Sequence, residues 1–92
     1  MNAITVGRGV GTALIEALIS RLQAASVEVL RVTTTNDNLA ALRFYQRRGF
    51  RITEARPGAV DQARRLKPSI SMIGEFGLPI HDEIELERPV QE

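Results

Sequence analysis

Cysteine and tryptophan are absent from this 92-residue chain, and tyrosine and histidine occur once each. Without cysteine, disulfide bonds, thiolate catalysis and cysteine-ligated metal sites are excluded. Charge of one sign is also scarce, because the formal net charge is only +1, which argues against nucleic acid or a membrane surface as the partner. Long hydrophobic runs are lacking too, and the first residues do not form a secretory signal. We therefore expect a cytoplasmic protein with a small-molecule partner.

What the chain does contain is enough apolar material for one core, since hydrophobic residues make up 43% of it. Leu14, Leu18 and Leu22 recur at helical spacing, whereas residues 27–35 are rich in β-branched side chains, which favour a strand. The patterns predict a strand end at 3–6, a helix at 9–25, an interior strand buried on both faces at 27–35, a helix at 39–48 and strands at 50–54 and 83–87. The expected fold is α/β (α+β mixed), in the order strand, helix, strand, helix, strand, strand, with a mixed sheet.

The stretch between the last two strands, at about 56–80, is predicted to be an inserted excursion. Pro57 and Gly58 interrupt the strand that precedes it, and the charged residues 61–67 favour a helical turn or two. Acidic and apolar residues alternate in the final strand, which is the period of a half-buried strand. Its acidic face is predicted to be exposed, and its members are Glu83, Glu85 and Glu87.

A glycine-rich segment, residues 7–11, joins the first strand to the first helix. Glycines let the backbone approach a ligand, and the free N–H groups of a helix start attract anions, so this junction suits a phosphate or pyrophosphate. A tight turn without a ligand explains the same glycines equally well. A Walker A loop is excluded because Lys67 is the only lysine, and a dinucleotide fingerprint lacks its third glycine, where Thr12 stands.

A second motif follows in the second helix, where residues 38–50 read N-x-x-A-x-x-x-Y-x-x-x-G-F. Preceded by a strand and by a loop of the form Q/R-x-x-G-x-G/A, this pattern resembles the GCN5-related N-acetyltransferase (GNAT) family. Residues 6–11 fit the family loop in every place except the first, where Val6 stands instead of glutamine or arginine. Two motifs in the right order are more specific than either alone. The resemblance covers residues 5–89 and corresponds to the family's C-terminal, acetyl-CoA-binding half.

The resemblance implies an N-acetyltransferase that uses acetyl-CoA as co-substrate, acts on a primary amine of a small molecule or peptide, and needs no metal. It implies one partial domain over residues 1–92, with an acetyl-CoA-binding core at 5–50 and C-terminal strands at 51–92. It also implies that Tyr45 is the catalytic acid that protonates the departing thiolate, a role that suits a phenol with a pKa near ~10. The implied coenzyme-binding residues are Val6, Arg8, Gly9, Val10, Gly11, Thr12 and Asn38.

Structural alternatives to these roles stay open. Asn38 would serve equally well as a helix N-cap, and Tyr45 as a core aromatic residue beside Phe44. His81 lies in a predicted loop and is assigned no catalytic role. Three arginines of the second helix could meet coenzyme phosphates or form a solvated face, and they are Arg43, Arg47 and Arg48.

The family's first strands and helices have no counterpart in the residues before Val6. The general base therefore cannot be identified from this sequence, and we expect activity to be impaired. We also expect an unpaired strand edge at 2–6 to favour a homodimer or a higher homo-oligomer. Two other functions remain as alternatives. One is a non-catalytic coenzyme-A-binding or interaction module, and the other is a small nucleotide-binding α/β domain.

Overall fold

The structure is a computed structural model that describes residues 3–6 and 12–91. Its elements follow the predicted order, so the mixed α/β class is confirmed. A 3-10 turn at Glu75–Gly77 lies in the excursion. The strands are β1 (Ala3–Val6), β2 (Val29–Thr35), β3 (Arg51–Arg56) and β4 (Glu83–Pro89), and the helices are α1 (Thr12–Ala24), α2 (Leu39–Arg47) and α3 (Ala59–Leu66).

The four strands form one mixed sheet in the order β1-β2-β4-β3. β1 and β2 run parallel, with Val6 opposite Val32, and they are joined through α1. β4 lies between β2 and β3 and runs antiparallel to both. The prediction that β2 is an interior strand is confirmed, because it pairs with β1 on one side and β4 on the other.

The prediction that β2 is buried on both faces is wrong. Leu30, Val32 and Thr34 are buried on one face of the sheet, which packs into the core. Arg31 lies on the other face and pairs with Glu87 of β4, their Nε and Oε2 atoms 2.8 Å apart. Valine and threonine therefore marked a strand without showing which of its faces is apolar.

The core lies on that single face of the sheet, beneath α1 and α2. Leu86 of β4 is opposite Val32 of β2 and both are fully buried, so the apolar alternation of the two strands coincides. None of the helices within residues 12–91 is long and apolar enough to cross a membrane. The buried core residues are Ile15, Ile19, Leu22, Val27, Leu30, Val32, Tyr45, Phe50, Leu86 and Val90.

The excursion is an ordered structure organised around Arg64. This side chain is 14% exposed, and its guanidinium donates to the backbone carbonyls of Ile70, Ser71 and Ile80 at 2.8 to 3.2 Å. It also forms an ion pair with Asp61 at 2.8 Å, one turn earlier in α3. The charged residues predicted to form a helical turn or two therefore belong to a helix, α3, that holds the following loop in place.

The acidic face of β4, defined by Glu83, Glu85 and Glu87, is not exposed as predicted. Glu85 forms ion pairs with Arg31 of β2 at 3.5 Å and with Arg56 of β3 at 3.2 Å. The other two carboxylates are paired as well, one with each arginine. Alternation located this face correctly, but the arginines that neutralise it come from two other strands.

Candidate functional site

The two ends of the glycine-rich segment lie at the end of the sheet where the parallel strands finish, which is their carboxyl-terminal end. Val6 ends β1 and Thr12 opens α1. The segment between them, with Arg8, Gly9, Val10 and Gly11, lies outside the described residues. A strand that ends beside the start of the following helix is the arrangement in which parallel α/β folds bind ligands.

β2 also finishes at this carboxyl-terminal end of the sheet and leads directly into α2. Its last residue, Thr35, donates from Oγ1 to Oδ1 of the buried Asp37. Asn38 then starts α2, with its Oδ1 accepting from the N–H of Ala41 at 3.1 Å. The helix-cap role of Asn38 is therefore present in the structure, and its Nδ2 is the group that would remain to donate to a ligand.

Tyr45 lies inside the core. Only 4% of the residue is exposed, and its ring makes edge contacts with Phe44 and Phe50 at centroid distances of 5.2 Å each. Burial raises the pKa of the Tyr45 phenol above its ordinary value, because desolvation disfavours the phenolate. Tyr45 is thus a core aromatic whose hydroxyl stays protonated at neutral pH, which is the state a proton donor requires.

A buried hydroxyl that no sequence motif indicates lies near this end of the sheet. Thr34 Oγ1, on the core face of β2, is buried and has no hydrogen-bond partner among the described residues. An unsatisfied buried hydroxyl costs about 1–3 kcal/mol, so such a position favours a water molecule or a polar ligand atom. Nothing in a run of threonines distinguishes the one that is left without a partner.

Two arginines of α2 and the arginine that caps its C-terminus have separate environments. Arg48 stacks on the ring of Phe44, with its Cζ 3.7 Å from the ring centroid, and donates to the Phe44 carbonyl. Arg43 and Arg47 are exposed and line a shallow groove on the same helix face. Arg48 is therefore a packing residue, and the other two remain available to an anion.

His81 and Asp61 form a pair that sequence spacing does not reveal. His81 Nδ1 lies 2.9 Å from Asp61 Oδ1 and 3.1 Å from Oδ2. The imidazole lowers the pKa of the Asp61 carboxyl through this hydrogen bond, and Arg64 adds to the effect. His81 lies in a loop, as predicted, but it is held in one orientation by a carboxylate from α3.

The described residues hold no group of three or more histidine or acidic side chains arranged for a metal ion. Arg64 joins the pair of His81 and Asp61, because its Nη1 lies 2.8 Å from the same Asp61 Oδ1 atom that His81 Nδ1 approaches. A cation beside that guanidinium would be repelled.

Comparison with known sequences places both motifs in one family. A sequence profile of the acetyltransferase (GNAT) family matches residues 6–50. The uncharacterized protein YdhI of Bacillus subtilis (strain 168) is 39% identical over 84 residues, an alignment that covers 91% of this chain and 52% of YdhI. The chain spans about half the length of the curated relatives it matches.

Solved structures share the fold. A GNAT family acetyltransferase from Elizabethkingia anophelis with acetyl-CoA bound matches with a TM-score of 0.78 and 22% identity, over 96% of this chain and 61% of that chain. A Bacillus subtilis acetyltransferase in complex with CoA matches with a TM-score of 0.70 and 22% identity, over 92% of this chain and 60% of that chain. At this identity the likeness is one of fold.

Proposed function

The chain belongs to the GNAT family of acetyltransferases, and from this premise we propose that it binds acetyl-CoA and transfers the acetyl group to a primary amine. The observation that carries the proposal is that β1 and β2 finish at the same end of the sheet. Val6 before the glycine segment and Asn38 after β2 lie at the carboxyl ends of two paired parallel strands. Ligands of open α/β sheets bind outside the carboxyl ends of the strands in this way.

We propose that the coenzyme pyrophosphate binds at the start of α1. The residues that would hold it are Arg8 to Thr12, through their backbone N–H groups, with Gly9 and Gly11 allowing close approach. α1 runs for 13 residues, long enough for the partial charges of its peptide groups to favour an anion at its N-terminus. Val6 would precede the loop, and the Asn38 side chain would donate to the coenzyme from the adjacent strand end.

Tyr45 is proposed as the acid of the transfer. The amine nitrogen attacks the thioester carbonyl carbon, a C–N bond forms and the C–S bond breaks. The departing thiolate takes a proton from Tyr45 Oη. Burial supports this role because it keeps the phenol protonated at neutral pH, which is the state that a proton donor requires.

Titration calorimetry with acetyl-CoA tests coenzyme binding. We expect wild type to bind and Gly9→Asp and Gly11→Asp to lose binding, because a carboxylate beside the pyrophosphate repels it. Ser69→Asp adds the same charge on the exposed excursion loop and should bind normally. No heat and no thermal stabilisation of wild type at millimolar acetyl-CoA would contradict the proposal, and binding of NAD in its place would favour the nucleotide-binding alternative.

Activity assays with Tyr45→Phe test the acid. The substitution keeps the ring contacts, so acetyl-CoA affinity should be unchanged while kcat falls on the order of 100-fold. Equal activity of wild type and Tyr45→Phe would remove the hydroxyl from the mechanism. Coenzyme binding without transfer to any small-molecule or peptide amine would instead identify a coenzyme-A-binding module.

We propose that copies of the chain associate through β1. In the described sheet β1 is an edge strand, paired with β2 alone. An unprotected strand edge favours pairing with another chain, and a homodimer related by a two-fold axis is the simplest result. Sedimentation at tens of micromolar should give a homodimer or a higher oligomer, and Ile4→Lys, which places a charge on this edge strand, should shift the mass towards monomer. A wild-type monomer would refute the association.

A further inference from the structure

The Asp61–His81 pair has the geometry that sets a histidine tautomer. A carboxylate only accepts hydrogen bonds, so at 2.9 Å the Nδ1 of His81 must donate its proton to Asp61 Oδ1. Asp61 is kept ionised because the His81 hydrogen bond lowers its pKa and the Arg64 guanidinium, 2.8 Å away, acts in the same direction. With the proton on Nδ1, the lone pair of the neutral ring is on Nε2, which is the basic nitrogen.

The backbone of His81 is held on two sides. Its N–H donates to Asn36 Oδ1 at 3.0 Å, and its carbonyl accepts from the N–H of Val60 in α3 at 3.0 Å. Asn36 also accepts from the N–H of Asp82 and donates from Nδ2 to the Pro79 carbonyl. The imidazole is therefore positioned by α3 and by the residue that follows β2, although half of its side-chain surface, 49%, is exposed.

His81 lies at the end of the sheet where we propose that the coenzyme binds. Asn36 follows Thr35, the last residue of β2, and Asn38 caps α2. The Asp61–His81 pair is attached to that junction through Asn36. The imidazole thus lies at the end of the sheet where β1 and β2 finish and where Asn38 caps α2.

We propose that His81, oriented by Asp61, is the general base of the acetyl transfer. The inference rests on the proposed function. His81 Nε2 takes the proton that the amine nitrogen loses as the C–N bond forms, while Tyr45 gives its proton to the thiolate as the C–S bond breaks. The imidazolium and the phenolate left at the end of the step return to their starting states by proton exchange with solvent, so protons and charge balance over the cycle.

Three charged side chains lie around His81. From α3 these are Asp61, which accepts from Nδ1, and Arg64, which forms an ion pair with Asp61. From the loop itself the neighbour is Asp82, whose Oδ1 accepts from the N–H of Gly58 at 2.9 Å. The base must be neutral to accept a proton, so kcat/KM should fall on the acid side with a single protonation.

The test uses His81→Asn, whose side-chain amide can still donate to Asp61 from the position of Nδ1 but has no basic nitrogen. We expect kcat/KM for amine acetylation to fall about 100-fold to 10,000-fold, with the acid-side fall in kcat/KM abolished and acetyl-CoA affinity unchanged. Gln62→Ala, an exposed residue beside Asp61 on α3, is the matched control and should retain wild-type values.

Asp61→Asn tests Asp61 as a positioning residue. Loss of the carboxylate should lower kcat/KM for amine acetylation and leave acetyl-CoA affinity unchanged, because the imidazole loses the group that orients it. The ring 15N shifts of His81 should change from the Nδ1–H tautomer towards a mixture of tautomers. A purely structural role for Asp61 would change stability and leave both of these readouts as in wild type.

The outcomes separate this inference from the proposed function. Wild-type transfer with unchanged rate and pH profile in His81→Asn would overturn the base assignment and leave the acetyltransferase proposal intact. Failure of wild type to bind acetyl-CoA would overturn both, and binding without transfer to any amine would overturn the base. Loss of transfer in His81→Asn with retained coenzyme affinity, fold and Gln62→Ala activity supports the assignment.

Discussion

At the scale of single residues, the protonation of Tyr45 can be measured directly. It is the only tyrosine and there is no tryptophan, so phenolate absorbance near 295 nm reports this one side chain. We expect a midpoint above the ordinary value of 10.0 in the native protein, because desolvation raises its pKa, and a midpoint near 10.0 in urea. Tyr45→Phe is the blank. A native midpoint at or below the urea value would show that the hydroxyl is solvated.

The same shift has a consequence for stability. The unfolded chain releases the phenolic proton at a lower pH than the folded chain does, so the unfolding free energy is unaffected below pH 10 and falls as the pH rises above it. Urea unfolding of wild type and Tyr45→Phe across this range should therefore converge or cross above pH 10, since only wild type loses stability through this group.

Gly74 is a second residue whose environment makes a firm prediction. A Cβ built at this position would lie 2.0 Å from Asp37 Oδ2 and 2.9 Å from Ile80 Cδ1. Asp37 is buried and its Oδ2 accepts from the N–H of Glu75 at 3.1 Å, so it cannot move freely. We expect Gly74→Ala to lower the unfolding free energy by about 1–3 kcal/mol.

The control for Gly74→Ala is Ser71→Ala in the same loop. The Ser71 side chain is exposed, and the carbonyl that accepts from Arg64 is retained, so stability should stay within about 0.5 kcal/mol of wild type in chemical denaturation. Equal stability of Gly74→Ala and wild type would mean that the loop moves away from Asp37 at little cost.

Single residues also show where prediction from sequence ends. Asn38 was predicted as a cap or a ligand, and its cap bond to Ala41 is local, which is why a short motif reveals it. The pairing of Asp61 with His81 was not predicted, because the partners lie on different elements and meet only after the excursion folds. Their roles in transfer, like those of the glycine segment and Tyr45, stay predictions.

At the scale of elements, Arg64 determines whether the excursion is ordered. We expect Arg64→Met to destabilise the protein by about 1–3 kcal/mol, since three backbone carbonyls and the Asp61 carboxylate lose a donor. Hydrogen exchange should increase across residues 67–80 more than in α1 or β2. Arg65→Met, at the exposed neighbouring position, should leave the exchange pattern unchanged.

A uniform increase in exchange with Arg64→Met, spread over all elements, would show that the excursion and the sheet unfold together. A localised increase would show that the excursion is a separate, less stable unit that folds onto the sheet. The second result is expected, because the loop contacts of Arg64 are made within residues 61–80.

The elements themselves were largely predictable, since helical spacing in α1 and β-branched runs in β2 are local signals. What could not be predicted was how the faces of the strands are used. The acidic face of β4 resembles a solvated face in sequence, and only the sheet order β2-β4-β3 brings Arg31 and Arg56 to either side of Glu85. Partner strands far apart in sequence decided the outcome.

At the scale of the whole molecule, one small core provides most of the stability. Leu86 is fully buried at the centre of the sheet. Leu86→Ala should lower the unfolding free energy by about 2–5 kcal/mol. A domain of this size has only about 5–15 kcal/mol in total, so thermal or urea denaturation should show a large shift and partial unfolding at 37 °C. Ile52→Ala, half-exposed on the edge strand β3, should have a much smaller effect.

The position of β4 has a consequence for how the protein folds. The connection that leads to it, residues 57–82, is far longer than a hairpin turn, so no turn geometry sets its alignment with its neighbours. A slip of one residue would turn Leu86 outwards and bury Glu85 away from both arginines. The alternating charges therefore favour the observed register, because any pairing shifted by one residue would separate the carboxylates from the arginines. Because this ladder joins residues 29–35 to 83–89, it closes a longer loop than the other strand pairings of the described sheet, and we expect its formation to limit the folding rate.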